Sequence, residues 1–273
     1  MSVLLKTKKR LKTIKNLNSI FTALQVITMA RLQKLKLKHK NAQQYLWSIR
    51  EIAEQLDFSE CMAKEKQTGR LAILISANRG FCGAFNQNVL FRSQNFIKEH
   101  NGEAEFIVFG RKGLEFLRAK KHPPRDQFLA EDYAFDFFFA LMEKALRGRS
   151  EIHVIFNRFS SVVRQDAVAL QIFPLAQKST VEASRYLVEP SRRAAAQKAL
   201  KLWLAAEIYF AYLDSQLGEI YSRIFTLKGA IENSKEIIQN LTMGFNKARQ
   251  QLITRDLLEI VGSSECLKEG EGY

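Results

Sequence analysis

Residues 11–35, LKTIKNLNSIFTALQVITMARLQKL, contain neither proline nor glycine, and apolar side chains recur in them at three- and four-residue steps: Leu11, Ile14, Phe21, Leu24, Leu32 and Leu35. That spacing predicts a helix with one apolar stripe. The pattern extends outward, from Lys6 to Asp57, through Leu46, Ile49, Ile52 and Leu56, still without a helix breaker. As a single helix these 52 residues would be about 78 Å long. A second proline-free arm runs from Ser191 to Val261, with its stripe on Leu200, Leu204, Ile208, Tyr221, Ile224, Ile231, Ile238, Leu241, Phe245 and Leu252. Gly218, Gly229 and Gly244 each weaken that helix by roughly 1 kcal/mol relative to alanine and allow bends. Stripes this long cannot be buried on a small core, so the two arms are expected to wrap each other as a coiled coil.

Residues 69–190 read differently. Leu71–Ile75 is a continuous apolar run of strand length, followed by a glycine turn and a helical stretch from Asn86 to His100. A second strand is expected at Glu105–Phe109, a helix at Arg111–Lys120 and a phenylalanine-rich helix at about Glu131–Arg147. A third strand, Ile152–Phe156, then leads into a returning strand, Val162–Phe173, before Pro174. Strand–helix alternation of this kind predicts a three-layer, Rossmann-like α/β domain built on a parallel sheet. The expected organisation is an N-terminal helix in 1–60, an α/β domain in 69–190 and a C-terminal helix in 191–273.

Charge is concentrated in one place. The net charge is +14, yet residues 1–50 hold twelve Lys or Arg and no Asp or Glu, leaving only +2 for the rest. The basic arm could serve nucleic acid or an acidic protein surface, and charge alone does not choose between them. Cys61, Cys82 and Cys266 are isolated and odd in number, which gives no disulfide framework or metal motif and fits a reducing compartment. No signal peptide is visible at the N-terminus. The most apolar stretches, Leu71–Ala77 and Tyr133–Met142, are far shorter than the ~20 residues of a membrane span.

The turn Arg79-Gly80-Phe81-Cys82-Gly83-Ala84-Phe85-Asn86 lies where phosphate loops lie, after a first strand and before a helix. It lacks both G-x-G-x-x-G and the Gly-Lys-Ser/Thr ending of a Walker loop, so a tight packing turn is the expected role. Cys82 as a nucleophile would need a base or cation nearby, and the nearest histidine in the chain, His100, is placed at the far end of the next helix. No catalytic, cofactor or metal site is read from the chain.

The same turn, taken from Ser76 to Asn86, resembles the Thr-Ser-Asp-Arg-Gly-Leu-Cys-Gly-x-Phe-Asn motif of the gamma subunit of F-type ATP synthases. Phe245-Asn246-Lys247-Ala248-Arg249-Gln250-Gln251-Leu252-Ile253-Thr254 is similar to that family's Tyr-Asn-Lys-Ala-Arg-Gln-x-x-Ile-Thr, with Leu258–Gly262 following in register. Glu219–Ile224 and Tyr186–Pro190 also match, in the family's order and spacing. Two departures stand out. Ser19–Thr28 keeps the apolar stripe of the family's corresponding run but loses three lysines, and Asn78 replaces the Asp that precedes Arg-Gly.

The resemblance implies an antiparallel coiled coil beside the α/β domain, acting as a rotor shaft. Ion flow would turn a membrane c ring and the shaft, and the shaft would drive conformational change in a catalytic ring of alpha and beta subunits. The implied partners are alpha, beta, epsilon and the c ring, with one copy per complex on the cytoplasmic face of a bacterial inner membrane or its organellar equivalent. The subunit itself would be non-catalytic and carry no cofactor. Arg249, Gln250 and Thr254 match positions that bond to a loop of beta. Arg223 matches an arginine of rotor–stator contact or shaft packing, and Glu189 a foot residue near the c ring. The alternative reading is a basic coiled-coil RNA-binding protein.

Overall fold

The computed structural model describes residues 2–53, 69–146, 149–161, 164–174, 189 and 191–270. Leu56, Cys61, Tyr186–Val188 and Pro190 lie outside the described residues. The chain divides into two compact units, one of Thr28–Phe225 and one that joins Met1–Ile27 with Thr226–Tyr273. In chain order the elements are α1 (Ser2–Ala53), β1 (Arg70–Ile75), α2 (Phe85–Glu99), β2 (Glu105–Phe109) and α3 (Arg111–Ala119). They continue with β3 (Asp126–Phe128), α4 (Phe135–Ala145), β4 (Glu151–Phe159), β5 (Gln165–Phe173) and α5 (Arg192–Gly270).

The unit Thr28–Phe225 is organised on a sheet of order β3-β2-β1-β4-β5. β1 pairs in parallel with β2 and β4, β2 in parallel with β3, and β4 is antiparallel to β5. β1 is central, which is why Leu71–Ile75 is apolar at every position: both its faces are covered. Ala72 and Leu74 pack with Val89 and Phe96 of α2 and with Leu114 and Leu117 of α3. Leu71, Ile73 and Ile75 face the opposite side, with Phe138 and Met142 of α4, Leu32 and Leu35 of α1, and Leu204 and Ile208 of α5. The long helices are therefore part of the third layer.

Within this unit α1 and α5 run antiparallel. Lys36 lies over the ring of Tyr221 at 5.6 Å, His39 meets Asp214 at 2.9 Å, and Arg50 meets Glu207 at 2.5 Å. The side chains of α1 that are buried or half-buried here are Thr28, Leu32, Leu35, His39, Ala42, Leu46 and Ile49, in alternating steps of four and three. A 3.5-residue period is the signature of a coiled-coil seam. It also corrects one expectation: Ile52 falls off the seam and is exposed.

The unit of Met1–Ile27 and Thr226–Tyr273 is a helix pair. Leu4, Thr7, Leu11, Ile14, Asn18 and Phe21 form its seam on α1. Leu227, Ile231, Ser234, Ile238, Leu241, Phe245, Ala248 and Leu252 form it on α5. Seven regular steps on α5 place apolar side chains at nearly every seam position. Of the polar seam residues, Asn18 and Ser234 answer each other with a 2.7 Å hydrogen bond. Such a pair costs some apolar burial but penalises every shifted register, because a slip leaves both groups unpaired.

Three details depart from the sequence expectation. β3 is a short edge strand with no strand-like run of its own. The phenylalanine-rich helix starts at Phe135, because residues 131–134 form a bend whose Tyr133 hydroxyl accepts the Ala130 N–H. Asn78, the departure from the family motif, accepts the Arg111 N–H at the start of α3 and donates its amide to the Leu129 carbonyl at 3.0 Å. A carboxylate could make the first bond but not the second.

Gly110 and Gly244 illustrate opposite constraints. Gly110 has φ +94°, and a Cβ there would stand 2.1 Å from the Ser76 carbonyl oxygen, whereas a Cβ at Gly244 meets nothing within 4 Å. Gly110→Ala is expected to destabilise the chain by roughly 2 kcal/mol or more. Gly244→Ala should stabilise α5 by up to about 1 kcal/mol. Thermal unfolding of the two variants checks both signs.

The start of the sheet is expected to respond to pH. Arg70 holds Glu151 at 2.6 Å, and with His153 it lowers that carboxyl to about 2. Burial lowers the His153 imidazole below its usual value, against the pull of Glu151. A base with a depressed pKa destabilises the fold once the unfolded chain takes up the proton, so stability should fall as pH drops below about 6.5. The Glu151 contribution, present above about 4.5, should be lost between there and about 2. Denaturation midpoints of the wild type and His153→Gln between pH 5 and 8 test the first limb, which should flatten in the variant.

Candidate functional site

The helix-pair unit presents charge and apolar surface outward. Lys6, Lys8, Lys9, Arg10, Lys12 and Lys15 are exposed on α1 without a carboxylate in reach among the described residues. Arg249 and Gln250 are exposed on α5, with both side chains available to a partner. Thr254 is exposed too, but its hydroxyl donates to the Gln250 carbonyl at 2.9 Å, one turn back. Beyond the last seam position, Leu252, the residues Ile253, Leu257, Leu258, Ile260 and Val261 are all more than half exposed. Exposed apolar side chains gathered on one stretch of helix fit a contact surface.

In the other unit, the turn between β1 and α2 is locked to α5. Phe81 and Gly83 take positive φ of 59° and 54°. These angles turn the carbonyls of the loop toward the helix. Ser222 donates to the Cys82 carbonyl at 2.6 Å and Arg223 to that of Gly80 at 3.3 Å. Asn157 donates to the Phe85 carbonyl at 2.8 Å. Gly218 is the close-approach point on α5, since a Cβ there would press on Phe85 and Gln165 at 3.4 and 3.3 Å. The Cys82 thiol is buried, and burial together with Glu219 pushes it above its ordinary value, away from the reactive thiolate. This geometry is a packing turn.

Arg223 also pairs with Glu219 at 2.5 Å, one turn earlier on α5. Burial raises the Glu219 carboxyl, and Arg223 opposes the rise. Of the residues singled out from the sequence, Arg223 is thus turned into the molecule, Arg249 and Gln250 outward, and Glu189 is exposed.

Other junctions were not legible in the sequence. Asp214 is buried on α5 and accepts from both His39 of α1 and the Phe159 N–H of β4, each at 2.9 Å. Beside it the Tyr221 and Phe159 rings stack at 5.1 Å. Glu131 sits between Arg31 of α1 and Arg79 of the turn, at 2.8 and 2.5 Å, while Gln216 of α5 donates to its carbonyl. The partners are 52 to 175 residues apart in sequence, and no local pattern announces them. Among the described residues no group of three or more His, Cys, Asp or Glu could hold a metal ion, and no helix is long and apolar enough to cross a membrane.

Paired long helices, a packed α/β body and exposed charge describe a scaffold that works by surface contact. The family model for ATP synthase matches residues 4–267. The ATP synthase gamma chain of Geobacter sp. (strain M21) is 31% identical, over 98% of this chain and all of the relative. That of Halothermothrix orenii is 28% identical over 96% of this chain and 98% of its own. A chain in the mitochondrial ATP synthase of Euglena gracilis superposes with a TM-score of 0.75 at 20% identity, covering 100% of this chain and 97% of its own. The chain belongs to the ATP synthase gamma-chain family.

The Arg223–Glu219 pair makes a stability prediction. Arg223→Ala strands the largely buried Glu219 carboxylate and the Gly80 carbonyl and is expected to cost about 2–4 kcal/mol. Adding Glu219→Gln should restore part of that loss, which urea unfolding of the single and double variants measures.

Proposed function

We propose that this chain is the central rotor shaft of a rotary ATP synthase, turning with a membrane c ring and driving conformational change in the catalytic ring of alpha and beta subunits. Family membership across nearly the whole chain is the observation that carries this reading. No observation favours RNA as the partner. The complex is membrane-associated and the chain peripheral to the membrane; in a bacterium it stands on the cytoplasmic face, one copy per complex, with epsilon beside it.

The work of such a subunit is differential contact. A bound element shifts a partner between conformers only by the difference in its affinity for them. An asymmetric shaft meets each surrounding subunit with a different face at each angle, so rotation becomes a sequence of such biases. The chain itself makes and breaks no bonds in this reading. Its buried Cys82 and the loop carbonyls occupied by α5 support that role.

Arg249 and Gln250 supply the catch toward a loop of beta. Their exposure leaves the guanidinium fork and the amide free, and a carboxylate is the natural acceptor for the fork. Thr254 contributes beside them. Of the two roles implied for Arg223, shaft packing is the one its bonds to Gly80 and Glu219 support. Glu189 serves at the foot, toward the polar loops of the c ring. The exposed lysines near the start of α1 steer the shaft toward acidic segments of the ring.

Replacing both Arg249 and Gln250 by Ala should leave the melting temperature within a degree or two, since exposed helix substitutions cost under about 0.5 kcal/mol. Coupled ATP turnover in the reassembled complex should nevertheless fall, because a charge-assisted interfacial bond contributes roughly 1.5–3 kcal/mol. ATPase and ion-pumping assays on the assembled variant test this. Wild-type coupling would make the two residues ordinary surface positions.

A further inference from the structure

At the β3 edge of the sheet a cleft of about 500 Å³ opens between β2, β3 and α4. Its floor is apolar, made by Ile107 of β2, Phe128 of β3, and Phe137 and Leu141 of α4. The pleat of β3 explains which groups reach it. Asp126 and Phe128 point to the α4 side, whereas Gln127 points away and is held by Arg118 at 3.2 Å. The Phe128 and Phe137 rings meet edge to face at 4.8 Å and form a rigid wall. A cavity of this size with a largely apolar lining and few polar groups has the dimensions of a small-ligand site.

The rim decides the sign of the ligand. Arg125 and Arg149 are balanced by Glu105 and Asp126: Arg125 stands 3.6 Å from each carboxylate and Arg149 2.5 Å from Glu105. Lys144, one helical turn beyond Ala140 on the same wall of α4, has no carboxylate within ion-pair distance among the described residues. The unbalanced charge at the mouth is therefore positive. The adjoining segment Arg118–Arg125 adds Lys120 and Lys121, both exposed, and contains no acid. Such a field attracts anions. A bare inorganic anion would leave the aromatic floor uncovered, and an uncharged hydrocarbon would leave Lys144 unanswered.

We propose that this cleft binds an anionic amphiphile, its alkyl or aryl tail against Phe128, Phe137 and Leu141 and its carboxylate or phosphate head on Lys144. The site shares no residue with the surfaces assigned to partner contact and does not depend on their role. The same chemistry could come from a membrane lipid or from a free amphiphile.

Titration calorimetry of the full chain with dodecyl phosphate below its micelle concentration tests the site. The expected result is saturable one-to-one binding, with no binding of inorganic phosphate. Lys144→Glu should weaken it at least tenfold, and Ala140→Trp, which fills the cleft from an exposed position, should abolish it, both with unchanged melting temperature. Absent or non-saturable binding, equal binding of inorganic phosphate, or binding indifferent to both substitutions would overturn the proposal. Flotation with phosphatidylglycerol and phosphatidylcholine vesicles separates the sources. Recruitment to the anionic vesicles that Ala140→Trp abolishes identifies a lipid, and its absence alongside dodecyl phosphate binding identifies a free amphiphile. Recruitment that survives Ala140→Trp without dodecyl phosphate binding would reduce the site to surface charge and refute it.

Discussion

An apolar stripe that recurs every 3.5 residues is stable in water only when a second helix covers it. This constraint governs both units of the chain. Leu32, Leu35, Leu46 and Ile49 of α1 are buried within the α/β unit, and each fully buried side chain of this kind contributes about 1.5–3 kcal/mol. Where α5 also meets the sheet, between Leu204 and Leu217, it is buried on nearly every side. Where it pairs only with α1, as at Ile231, Ile238 and Leu252, a narrow seam suffices and the remaining faces are free. One helix thus changes from a core element to a two-helix rod as its set of neighbours changes.

Hydrophobic burial does not distinguish one register of such a pair from the next, so the specificity lies in polar groups. Asn18 with Ser234, and His39 with Asp214, are hydrogen-bonded across the helices. Asp214 carries a further duty by accepting the Phe159 N–H of β4. A slip of the helices would leave buried polar groups without partners, at roughly 1–3 kcal/mol each.

The β1–α2 turn serves the same end. Its motif has the place and glycine content of a phosphate loop, yet its carbonyls are spent on Ser222 and Arg223, and its cysteine is buried. Glu131 ties the same turn to α1 through Arg31 and Arg79. Exposed ion pairs contribute little singly. Here they ornament a junction whose strength comes from burial and from the aromatic cluster of Phe109, Phe138 and Tyr212, rings 5.3 to 5.7 Å apart.

The amino-acid sequence by itself determined the two helical arms, the strands β1, β2 and β4, and the family, because periodicity, breaker placement and motif spacing are local properties that one chain displays in one dimension. It did not disclose β3, whose three residues lack any apolar run and gain their strand character only from pairing with β2. Nor could it place Ile52 off the seam, since a one-residue error in a 3.5 period becomes visible only once the partner helix is present. The direction of Arg223 belongs to the tertiary structure as well. A helix arginine reads the same whether it faces solvent or a carbonyl, and only the approach of the Gly80 loop, with its positive φ at Phe81 and Gly83, turned it inward. Long-range pairing decided these features because their energies reside in contacts between groups that the chain itself holds far apart.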